Sequence, residues 1–92
     1  MRSTYDDEKR ARTLSERGLD FADAGEVFEG ATLTIVDDRF DYGEVRYQTM
    51  GPLDGRLVMV VWTPRDDARH IISMRKCNDR EQKRYWLQLG EP

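Results

Sequence analysis

A chain of 92 residues in which 38% of side chains are hydrophobic and 36% charged describes one small folded domain with a modest core, not a disordered segment. No apolar run approaches the ~20 residues of a membrane span, and Met1-Arg2-Ser3-Thr4-Tyr5-Asp6-Asp7 lacks the apolar stretch of a secretory signal, so the expected location is the cytoplasm. Cys77 is the only cysteine and His70 the only histidine, which excludes an intrachain disulfide and leaves no ligand set for a structural zinc; no metal or other cofactor is expected.

The net charge of −3 conceals a division near the Gly51-Pro52-Leu53-Asp54-Gly55 turn. Residues 1–54 carry 7 basic and 13 acidic side chains, net −6, whereas residues 55–92 carry 8 basic and 5 acidic, net +3. Screening cuts charges off over roughly 8 to 10 Å, so a local basic face on an acidic protein still binds phosphate. The plainer alternative is that these charges only solvate a helix.

In chain order, Asp6 to Gly18 has acidic residues at its start, Ala11 and Leu14 at helical spacing, arginines near its end and a glycine stop, which predicts a helix. Asp20 then offers a cap, and Phe21, Ala24, Val27 and Phe28 recur at helical steps before Gly30, which predicts a second. From Ala31 the period becomes two. Strands are expected over 31–36, 44–50, 56–63 and 69–75, separated by the 37–43 loop, the 51–55 turn and the 64–67 turn. Asn78 with Glu81 resembles a capping box, and Gln82, Tyr85, Trp86 and Leu89 share one face of a terminal helix. The expected fold is α+β: two N-terminal helices, a four-stranded, mainly antiparallel meander with the helices on one face, and a C-terminal helix.

These elements carry local signatures in an order that resembles the BrnT family. Tyr5-Asp6-Asp7-Glu8-Lys9 looks like that family's Trp-Asp-x-x-Lys opening, and Arg17-Gly18-Leu19-Asp20-Phe21 with Glu26-Val27-Phe28 looks like its His-Gly-Val-x-Phe and following helix. Asp37-x-Arg39, Tyr42-Gly43-Glu44-x-Arg46, Gly51, Thr63-x-Arg65, Ile71-Ile72-Ser73-x-Arg75-Lys76 and Glu81-x-x-x-Tyr85 complete the match, over about residues 5–86. Arg17 replaces the usual histidine, His70 replaces the arginine that opens the Arg-Ile-Ile-Ser run, and Met74 and Cys77 replace two alanines.

The resemblance implies a RelE-like fold and a toxin of a type II toxin–antitoxin system that cleaves RNA without a metal. It also implies a BrnA-like ribbon-helix-helix antitoxin, a possible heterotetramer with it, and contact with operator DNA only through that partner, in co-repression of the operon. The rival expectation is a degenerate member that retains antitoxin binding and co-repression but cleaves weakly.

Cleavage of RNA without a metal requires deprotonation of a 2′-hydroxyl and stabilisation of the phosphorane's charge. His70 is the natural general base by its pKa, but a lone histidine beside Ile72 and Met74 is more often a satisfied core residue, and the resemblance does not make it a family catalytic residue. Arg65 and Arg75 are the other candidate catalytic residues, with Arg69, Ser73 and Lys76 as RNA or phosphate contacts. Unbroken alternation would put Arg69, Ile71, Ser73 and Arg75 on one strand face, opposite His70, Ile72 and Met74. The alternative role for Arg75 is a structural ion pair, for instance with Glu44. Arg46 is expected to pair with Glu44, and the Asp37-Asp38-x-x-Asp41 loop to shape a turn and not a calcium site. Trp62, Tyr85 and Trp86 are expected in the core, Trp86 being the one most open to a partner. Arg80, Lys83 and Arg84 read as a solvated helix face, with RNA or antitoxin contact as the lesser reading.

Overall fold

The computed structural model describes residues 1–90. The chain runs β1 (Arg2–Tyr5), α1 (Asp7–Arg17), a 3-10 turn (Phe21–Asp23), α2 (Ala24–Glu29), β2 (Leu33–Val36), β3 (Tyr47–Leu53), β4 (Arg56–Arg65), β5 (Ala68–Lys76) and α3 (Asp79–Leu89). The strands form one five-stranded sheet in the order β1-β5-β4-β3-β2.

This corrects the four-stranded meander. The additional strand is β1, which lies parallel to β5 with Arg2 opposite Ala68 and Tyr5 opposite Ile71. Its four residues are too short and too polar for periodicity to reveal, and their partner lies more than sixty positions away in the chain. A second correction concerns layering, because the sheet is covered on both faces. Leu19, Phe21, Ala24 and Val27 pack with Leu53, Val58, Val60, Ile71 and Met74 on one face. Tyr85 of α3, with Trp86 at its margin, packs with Met50, Leu57, Met59, Val61 and Cys77 on the other.

Helix α1 is set by its ends and not by burial, since none of its residues is buried. The Asp6 carboxylate accepts the Lys9 amide at 3.0 Å, and Gly18 closes the helix in the left-handed region at φ 69°. The second helix is shorter than its sequence period suggests. Asp20 caps the 3-10 turn, and the α-helical segment is Ala24–Glu29. Strand β3 lies three residues later than expected. Residues 44–46 are held instead by the preceding loop, where the Asp37 amide donates to the Arg46 carbonyl at 2.8 Å. The turn to β4 therefore contracts to Asp54-Gly55, both at positive φ (51° and 79°), the pattern of a two-residue hairpin turn.

Candidate active site

In β4, Val58, Val60 and Trp62 face α2, so Met59, Val61, Thr63 and Arg65 face α3. Strand β5 does not alternate throughout. Val61 is opposite Ser73 but Trp62 is opposite Ile71, which leaves Ile72 unpaired in a β-bulge. The bulge reverses the faces of everything beyond it. Ile71 and Met74, three residues apart, thus share one cluster, which regular alternation forbids.

The expected grouping of Arg69, Ile71, Ser73 and Arg75 is corrected accordingly. His70, Ser73 and Arg75 lie on the α3 face with Arg65, whereas Arg69 lies on the opposite one. There the Arg69 guanidinium stacks 4.0 Å from the Phe28 ring and 5.4 Å from the Trp62 ring, with its Nε buried and unpartnered. Lys76 is exposed at the strand's end in register with Val58, away from Arg75. The structure therefore places Arg65, His70, Ser73 and Arg75 on one face, with Arg65 near His70 and Arg75 further along the strand beside Glu81, and puts Arg69 and Lys76 on the other.

The cluster under α3 takes nothing from the Thr63–Arg65 or Ala68–His70 ends of the central strands; there, beside the 37–46 loop, Thr63 and Ala68 are buried while Arg65 is exposed. Thr63 ties that loop down by donating to the Val45 carbonyl at 2.6 Å. His70 is half-buried there, and its Nδ1 shares a 2.9 Å hydrogen bond with Thr4 Oγ1 on β1. Burial first, and the nearby Arg65 charge second, hold its pKa below the usual 6.5, so the ring is neutral at neutral pH. Arg65 is exposed and loosely paired with Glu44 at 3.6 Å. Glu44 also meets Arg46 at 3.4 Å, and the Arg46 guanidinium covers the Tyr42 ring at 4.0 Å.

Arg75 is more constrained. Its two terminal nitrogens each donate to a Glu81 carboxylate oxygen at 2.7 Å, a bidentate pair that lowers the pKa of Glu81. The partner is Glu81, not Glu44. Glu81 at the same time accepts the Asn78 amide and completes the capping box of α3, so Arg75 joins the strand to the helix N-terminus. The loop has a similar anchor. The buried Asp37 carboxylate accepts Arg39 Nε and Nη2 at 2.8 Å each and the Tyr42 hydroxyl at 3.3 Å, and the Arg39 contacts above all lower its pKa to about 2. The Cys77 thiol is pushed up to about 11 by burial and is no nucleophile.

Sequence reasoning missed Thr4 because β1 was invisible to it. It also missed Glu44's second role as the carboxylate beside Arg65. The only cue was the Glu44-x-Arg46 spacing, which pointed to one partner instead of two.

A half-buried neutral histidine, hydrogen-bonded through one ring nitrogen and bordered by an exposed arginine, thus sits at one end of the central strands of a small α+β protein. Residues 5–81 match the family described as "Ribonuclease toxin, BrnT, of type II toxin-antitoxin system", and the chain belongs to that family. It is thus a ribonuclease toxin whose substrate is RNA and whose partner is an antitoxin. A comparison with curated proteins finds no match. Among the described residues no helix is long and apolar enough to cross a membrane.

Proposed function

We propose that this chain is a single-domain, RelE-like, metal-independent endoribonuclease whose centre is His70 with Arg65, beside the 37–46 loop. In the tautomer that donates Nδ1–H to Thr4, His70 Nε2 is the free base. It takes the proton of a 2′-hydroxyl, the 2′-oxygen bonds to phosphorus, and the 5′-oxygen leaves and takes a proton from solvent. The products are a 2′,3′-cyclic phosphate and a 5′-hydroxyl end. Arg65, only loosely held, swings to the phosphorane's oxygens. Arg75 and Ser73 lie further along the same strand face, Ser73 as a donor to phosphate and Arg75 as the residue that fixes α3 beside the site and adds positive potential.

The observation that carries this reading is the Thr4–His70 hydrogen bond, which orients a histidine whose pKa burial and the neighbouring Arg65 lower. Arg69 and Lys76 take the lesser part of distant positive charges. In the cell we place the protein in the cytoplasm, neutralised by a ribbon-helix-helix antitoxin in a heterotetramer that represses its own operon.

The second reading, a weakly active member that serves mainly to bind antitoxin and co-repress, is favoured by one observation: Glu81 neutralises Arg75 in a bidentate pair. Incubation of total RNA with the purified protein in EDTA separates the two. The proposal expects cleavage by the parent, a loss of roughly 10²-fold or more in His70→Ala, and a smaller loss in Arg75→Ala. No cleavage by the parent supports the binding role.

A further inference from the structure

In an amphipathic helix, positions i, i+3, i+4, i+7 and i+8 form the apolar stripe that addresses the core. In α1 these positions read Lys9, Arg12, Thr13, Glu16 and Arg17, and together they face Ile72 and Ser73 of β5 across a cleft of about 210 Å³. The cleft lies where β1 stops pairing, since β1 accompanies β5 only as far as Ile71 and α1 follows immediately. A crevice between a helix and a sheet edge is thus lined by cations where an apolar seam is the rule.

Their charges are not balanced within the protein. Among the described residues none of Lys9, Arg12 and Arg17 forms an ion pair, and Glu16 is the sole carboxylate of the lining, which leaves two net positive charges. Arg17 is held in place, because its Nη1 donates to the Met74 carbonyl at 2.8 Å. One cation is therefore preorganised and the other two are free to close on a ligand. The cleft also lies near the candidate active site: Ser73 of its lining is three residues along β5 from His70, and the charge of Lys9 acts on His70.

We propose that this cleft is a second phosphate subsite, which holds a backbone phosphodiester of the RNA neighbouring the one at His70. Lys9, Arg12 and Arg17 supply charge, and the Thr13 and Ser73 hydroxyls supply donors. The proposal rests on the ribonuclease reading and extends it, because a substrate gripped at two phosphates has its scissile bond fixed in register.

The test uses 2′-O-methyl RNA, which lacks the attacking hydroxyl and so reports binding alone. A fluorescent dinucleotide and a longer oligomer are titrated against the parent, Lys9→Ala/Arg12→Ala and, as a charge-matched control, Lys83→Ala/Arg84→Ala, at several salt concentrations. The two α1 residues are exposed, and an unchanged thermal midpoint verifies folding.

The expected result is an affinity loss of roughly tenfold for the oligomer in the α1 variant, with the salt slope shallower by about 0.7 for each phosphate no longer neutralised. Dinucleotide binding stays as in the parent, and the control variant keeps most of its affinity for both. Equal losses in the two double variants overturn the subsite, as does unchanged oligomer binding in the α1 variant. If that variant keeps RNA affinity but loses the antitoxin, the cleft belongs to the protein partner and the proposal fails. A parent that binds neither RNA defeats the ribonuclease reading together with the subsite, an outcome distinct from the other three.

Discussion

Thr4 stands on an edge strand yet governs the orientation of the chain's one histidine, through a 2.9 Å bond to Nδ1. Replacing it by valine keeps the shape and removes the partner. For Thr4→Val we expect cleavage to fall roughly tenfold, mainly in kcat, because the imidazole is no longer held in one orientation. A fall in KM-dependent binding with kcat intact would contradict that role. Asp37 gives a second prediction at this scale. Its carboxylate has a pKa of about 2 in the folded protein against 3.8 for the free group, chiefly through Arg39. A depressed carboxylate contributes stability that is complete above the unfolded value and is lost as pH falls through 3.8 towards 2. Acid titration of the thermal midpoint should show the parent losing stability in that window. Asp37→Asn, already weakened at neutral pH, should lose less there.

At the scale of elements, the tightest approach is between α2 and β3. A Cβ added to Gly51 would meet Val27 Cγ1 at 2.9 Å and Thr32 Cγ2 at 3.2 Å, so Gly51→Ala forces the helix off the sheet. A loss of about 1 to 3 kcal/mol is expected in denaturant unfolding, the usual cost of overpacking; an unchanged midpoint would show that α2 yields freely.

The same elements explain what was legible in the sequence. Helices α1 and α3 could be read almost to the residue because local chemistry ends them: Asp6 and Gly18 for one, the Asn78–Glu81 box for the other. The three central strands were legible from β-branched runs, although the boundary of β3 moved because Asp54-Gly55 alone, and not the whole of 51–55, makes the turn. Two features depended on long-range pairing and left no local trace. Strand β1 exists only because β5 offers a free edge. The Ile72 bulge, which moves Ser73 and Arg75 to the side of His70 and Arg65, comes from the register between β4 and β5. The face that each candidate residue occupies was therefore not legible in the sequence, and alternation alone gave Arg69 the wrong neighbours.

For the molecule as a whole, the acidic first half and the basic second half do not form separate surfaces. Glu44 of the first half moderates Arg65 of the second, while Lys9 of the first half and Arg65 of the second both act on His70. The net charge of −3 thus says little about the neighbourhood of His70, where Arg65 stands beside a neutral histidine.

The measurement that tests the account most directly is the initial rate of cleavage of a single labelled RNA in EDTA, from roughly pH 5 to pH 8, for the parent and for His70→Ala. The account predicts that the parent's rate rises with pH and levels off with a midpoint below 6.5, because the base is a histidine of lowered pKa. It predicts that His70→Ala is slower by roughly 10²-fold or more and has lost that limb. A variant that cleaves with the parent's rate and the parent's pH profile would contradict it.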